Sequence, residues 1–192
     1  MTTLRLKELI SWSPLRLALR LIPLLFACLA LSPMAQAGSP PPDGGLPNFN
    51  TAEGTDALFS LTIGSRDTGL GFQAFYSNRT SSYNTATGFQ ALFRNHDGNN
   101  NTATDAAALL MNTTRSDNTA TGFRALRNNE NGVENTAIGS AALQGNMDGA
   151  FNTAVGSFAL SSTDGDNNTA VGLDALRNSK GSGNTALGAS AG

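Results

Sequence analysis

A nine-residue phrase, Asn-Thr-Ala-x-Gly-x-x-Ala-Leu, recurs with its Asn at Asn84, Asn101, Asn118, Asn135, Asn152, Asn168 and Asn184. The intervals are 17, 17, 17, 17, 16 and 16 residues. Two looser copies begin at Asp67 and Asn50, so nine units fill residues 50–192. A fixed period this short means that each unit is one coil of a solenoid, unable to bury its apolar side alone and stabilised by stacking on its neighbours. The fold class expected is all-β: a parallel β-solenoid, or β-roll, of nine 16–17-residue repeats.

Each position of the unit has a type. The first is Asn in eight units and Asp67 in the other, and the second is always Thr. The fifth is Gly except at Asp105, the eighth is always Ala, and the ninth is Leu, with Phe75 and the final Gly192 as exceptions. Strand alternation puts Thr and the fourth residue (Thr87, Thr104, Thr121, Ile138, Val155, Val171, Leu187) on one face and the third-position Ala on the other. Polar stretches rich in Asn, Asp, Gly and Ser supply the turns between units. After the Gly two conformations remain open. Phe89, Leu92 and Phe93 stand at i, i+3 and i+4, which fits one short helical turn per unit as well as a second strand. Leu126 and Leu143 are core candidates, whereas Arg127 follows in a position that is often polar.

No Pro occurs after Pro47, as a hydrogen-bonded ladder requires. Four of the seven prolines fall in residues 38–49, which read as an extended Pro/Gly linker. Residues 1–37 read as a signal peptide: Arg5, Lys7, Arg16 and Arg20 precede an apolar run from Leu21 to Leu31, and Ala35-Gln36-Ala37 offers a cleavage site. The chain is therefore expected to be exported, to the extracellular medium or the cell surface. Cleavage would remove Cys28 and Trp12, the only residues of their types, and leave 8 basic against 13 acidic side chains. With no thiol, disulfides and cysteine catalysis drop out. A net acidic surface disfavours nucleic acid and anionic membranes as partners, and no later segment is apolar enough to span a bilayer.

The phrases NTAIGSAAL, NTAVGSFAL and NTAVGLDAL resemble the head repeats of trimeric autotransporter adhesins of the YadA type. They resemble still more the NTAIGYQAL arrays of bacterial surface and phage tail-fibre-like proteins. The resemblance covers residues 50–192 and implies a parallel β-roll, displayed outside the cell as a homotrimer and used for adhesion or as a stalk. It also implies that Thr and the fourth residue face inward. Each coil has few large apolar residues, so the column looks thin, which points the same way, toward self-association. The unit is longer than the adhesin head repeat, so larger loops are expected. The last unit stops at Gly192, in the Leu position, which is expected either of a fragment of a longer chain or of an end covered by another chain.

Other constellations have plainer explanations. Gly69-Leu70-Gly71-Phe72-Gln73-Ala74 fits a dinucleotide-binding pattern, but its glycines fall on repeat positions three and five and no βαβ unit surrounds them. His96 is the only histidine, too few for a metal set or a catalytic triad. The Asp-Gly turns at Asp97, Asp148 and Asp164, the last followed by Asp166, suit weak calcium sites only if several oxygens converge. The column of first-position Asn is best read as side chains satisfying one another and the turns. No enzyme, cofactor, metal or catalytic residue is therefore expected, and no ligand-binding residue can be singled out. The reading favoured is an exported structural and adhesive repeat protein, the alternative a tail-fibre-like shaft or spacer. A third reading, ice binding through rows of Thr, requires the Thr-Ala-Thr strands at 85–87, 102–104 and 119–121 to face solvent, whereas the fourth position turns to Ile138, Val155, Val171 and Leu187, as a buried, inward-facing position would.

Overall fold

The computed structural model describes residues 45–192. The signal peptide, its cleavage site and most of the linker lie outside the described residues. Nine short strands, one per repeat, form a single parallel sheet in chain order. These are β2 (Asn50–Glu53), β3 (Thr68–Leu70), β4 (Thr85–Thr87), β5 (Thr102–Thr104), β6 (Thr119–Thr121), β7 (Thr136–Ile138), β8 (Thr153–Val155), β9 (Thr169–Val171) and β10 (Thr185–Leu187). A two-residue strand, β1 (Gly45–Leu46), pairs antiparallel with β2, and a 3-10 turn at Pro47–Phe49 joins them. The last residues of the expected linker thus close the first coil.

The register is the sequence register. Thr102 pairs with Thr119, Ala103 with Ala120 and Thr104 with Thr121, and the pattern holds across the one-residue shortening from β8 to β10. The missing residue is taken from the turn: Thr163 stands where Asn146 stood, but one residue fewer separates it from the following turn Gly165.

The facing of the strands is opposite to that implied by the family resemblance. Third-position Ala86, Ala103, Ala120, Ala137, Ala154 and Ala170 are completely buried. The Thr on either side of them and the fourth-position residues are half-buried or exposed, with Ile138 at 44% and Leu187 at 80%. The reason is the width of the coil. Across from the strand, the eighth-position Ala and ninth-position Leu are also fully buried, from Ala91 and Leu92 to Ala159 and Leu160. Only a small side chain fits opposite Leu. At Gly69 even an added Cβ would come within 3.2 Å of Leu58 Cγ.

The segment after the Gly is neither a second strand nor a helical turn. Residues seven and nine of each unit have left-handed backbone (Gln90 φ 54° and Leu92 φ 50°, Arg124 φ 59° and Leu126 φ 48°). Alternation of hand points successive N–H groups up and down the stack. Gln90 donates to the Phe72 carbonyl of the coil before (3.0 Å), and Leu92 to the Ala108 carbonyl of the coil after (3.0 Å). Backbone groups that a helix would pair internally are paired between coils, which is what stacking requires of a thin rod. A left-handed Leu costs on the order of 1–2 kcal/mol, so this geometry persists only because burial of the Leu column and the intercoil bonds hold it.

Position five shows why Gly is nearly invariant. At Gly122 φ is +131°, and a Cβ there would sit 2.6 Å from the carbonyl carbon of Gly139 in the next coil. Both the torsion and the contact exclude a side chain. Asp105, the one exception, is held at φ 96°.

Candidate functional site

Two polar columns run inside the solenoid, and they account for most of its buried polarity. The first is the one visible in the repeat. Each first-position Oδ1 accepts from the backbone N–H of the equivalent residue one coil on: Asn101 from Asn118 (3.0 Å), Asn118 from Asn135 (3.1 Å), Asn135 from Asn152 (2.9 Å). In the units up to Asn152 the Asn amide also donates to a turn carbonyl, as Asn118 Nδ2 does to Gly132 (3.1 Å) and Asn135 Nδ2 to Gly149 (2.8 Å), whereas Asn168 and Asn184 donate to the Oδ1 of the Asn one coil before. Asn is the short side chain that both accepts and donates, which explains eight Asn in nine units.

The second column was not legible as such. Asn78, Asn95, Asn112, Asn129 and Asn146 occupy position twelve, inside stretches read as turns, and all are fully buried. Asn112, Asn129 and Asn146 each donate to the Oδ1 of the Asn one coil before, at 2.8, 3.0 and 3.0 Å, and to their own turn carbonyl. The signal was present as a second Asn at constant spacing, hidden by the variety of the residues around it. This column stops at the shortened coil: Thr163 has no amide to offer, and Asn146 Oδ1 is left buried without a partner.

Asp67 departs from the first column. It is fully buried and accepts from the Asn84 backbone (2.9 Å), the Asn84 amide (3.1 Å) and the Asn78 amide (3.0 Å). Burial pushes its carboxyl above the ordinary value, and these hydrogen bonds pull it only part of the way back.

The acidic turns do not converge. Asp97 accepts from the Thr80 hydroxyl, Asp148 from the Asn131 amide, Asp164 from the Met147 backbone and Asp166 from the Ala150 backbone, each bond tying one coil to its neighbour. Among the described residues no three acidic, His or Cys side chains come together in a way that could hold a metal ion. His96 sits half-buried in a turn, where its carbonyl accepts from Arg79 and Thr80 of the preceding coil. Gly69 lies in β3 and Gly71 opens a turn at φ +125°, so the dinucleotide-like string leads into no helix. A hollow at the last coil is lined by Leu176, Arg177, Asn184 and Gly192 among others, with no cluster of titratable groups converging in it among the described residues.

What the molecule presents outward is columns. Phe59, Tyr76 and Phe93 stack in parallel at 5.1 and 5.2 Å between centroids, and Phe72 stacks on Phe89 at 5.4 Å. Arg66 lies between Phe49 and Tyr83, 5.6 and 5.1 Å from their ring centres. The strands add the Thr and fourth-position columns. Among the described residues no helix is long and apolar enough to cross a membrane. Comparison with family models, curated proteins and solved structures finds no match to this chain.

Proposed function

We propose that this chain is an exported structural repeat protein of the adhesive kind, acting as a homotrimer at the cell surface or outside the cell, without catalysis. The observation that carries the reading is the register: nine parallel strands stack in line over about eight turns, so any surface group is presented many times along one line. Weak contacts multiplied in this way give avidity without a pocket. Resemblance of the NTAxGxxAL phrase to adhesin heads supports the same class. Association of three copies draws on the outward aromatic columns, where Phe59, Phe72, Phe89 and Phe123 are between 44% and 52% exposed. Clustered apolar surface of this kind marks contact sites.

The test is binding of the purified protein to immobilised matrix proteins and glycans, with its mass in solution measured by light scattering. The expected result is a trimer that binds at least one such surface, and binding that weakens as whole coils are deleted. A folded trimer that binds none of them is instead the tail-fibre-like shaft, a spacer built from the same rungs. A monomer would overturn the association.

A further inference from the structure

We propose that the outward face of the parallel sheet binds ice, through its grid of Thr hydroxyls and methyl groups. The inward facing that argued against this reading is reversed in the structure. Thr51, Thr68, Thr85, Thr102, Thr119, Thr136, Thr153, Thr169 and Thr185 form one unbroken outward column, and Thr87, Thr104 and Thr121 form a second beside it in β4–β6. The Thr hydroxyls that hydrogen-bond to protein among the described residues belong to the turns: Thr62, Thr80 and Thr163. Those on the sheet are left to water.

Neighbouring strands are about 4.8 Å apart, and positions two and four of one strand about 6.6 Å. The face is therefore a two-dimensional lattice of hydroxyls and methyls at fixed spacing, comparable to the oxygen spacing of an ice surface. Thr suits it because its β-branch stiffens χ1, so each hydroxyl is held rather than swept through solvent. From β3 to β10 no charged side chain stands in either column, and none imposes its own hydration on the layer above. Ile138, Val155 and Val171 keep the branched shape and lose the hydroxyl, so the patch of six Thr in β4–β6 is the centre of the site. That placement also argues against a second copy as the occupant. Two such faces pressed together would desolvate hydroxyls at the middle of the contact, where interfaces are most apolar.

Ice-recrystallisation inhibition and thermal hysteresis are to be measured on the protein and on Thr102→Tyr and Thr119→Tyr, with Arg127→Tyr as a control away from the sheet. The parent and the control are expected to be active, and each Thr variant to lose roughly tenfold, because one bulky ring lifts many weak contacts at once. Circular dichroism melts establish folding, and a Thr102→Ser, Thr104→Ser double variant, which only removes methyls, replaces any Tyr variant that fails to fold. Absence of both activities in the parent, or equal activity in the Thr variants, overturns the proposal. So does an oligomer that the Thr substitutions dissociate, since a second copy then covers the face.

Discussion

At the scale of single residues, the exceptions to the repeat are the best probes of what each position does. Asp105 holds a left-handed torsion that eight glycines hold elsewhere, and its Oδ1 accepts from the adjacent Ala106 backbone. Strain of this kind costs on the order of 1–3 kcal/mol, so Asp105→Gly should stabilise the protein by about 1 kcal/mol in a denaturant melt. Asp67 is a carboxylate where an amide belongs. Because its folded pKa lies above the unfolded value, its penalty is absent below the ordinary carboxylate range and complete above the raised pKa. Stability should therefore fall as pH rises through that window. Asp67→Asn should abolish the slope and raise the melting temperature at pH 7, by about 2–4 °C for each kcal/mol regained. The Asn78 amide can then turn to its turn carbonyl, as the amides of Asn95 and Asn112 do. Asn118→Ala tests the regular column: it strips the Asn135 N–H of its acceptor, while the Gly132 carbonyl keeps the Asn129 amide, and a loss of about 1–3 kcal/mol is expected from one buried donor left unpaired.

At the scale of one coil, buried positions one, three, eight, nine and twelve form the cross-section, and everything else faces out or turns. Leu143 is fully buried beside Ala142, and Leu143→Asp puts a charge into a column with no partner for it. Loss of the cooperative melt is the expected result, whereas Arg127→Ala should change stability by less than about 0.5 kcal/mol. Much of this was legible in the chain. The period gave the rung, Thr-to-Thr register followed from it, and the Leu column and first Asn column were visible as constant positions. Besides the second Asn column, two things were not. Alternation says that Ala103 and Thr104 face opposite ways but not which faces in, and the choice is made by the Leu across the coil. The left-handed residues at Gln90 and Leu92 were hidden because neither type advertises that torsion, which is dictated by bonding to the coils above and below.

At the scale of the whole molecule, the solenoid is a stack of nearly identical layers, and its outside differs along its length more than its inside does. Aromatic columns crowd β2–β4, hydroxyls the middle, and aliphatic residues the fourth position from Ile138 onward. Within the described residues the two Asn columns satisfy polarity inside the solenoid and the Ala-Leu pairs fill each coil. Association and ice binding would then use outward columns and leave the rungs unchanged. The core assignment and the ice-binding face both rest on which side of the strand looks out, so that orientation is the quantity to measure. In a Cys28→Ser background, Ala120→Cys and Thr121→Cys place single thiols at adjacent residues of β6. Thr121→Cys should react with a soluble thiol reagent in the folded protein at a rate near that of the unfolded chain, and Ala120→Cys only after unfolding. A shielded residue 121 beside a reactive residue 120 would contradict the account.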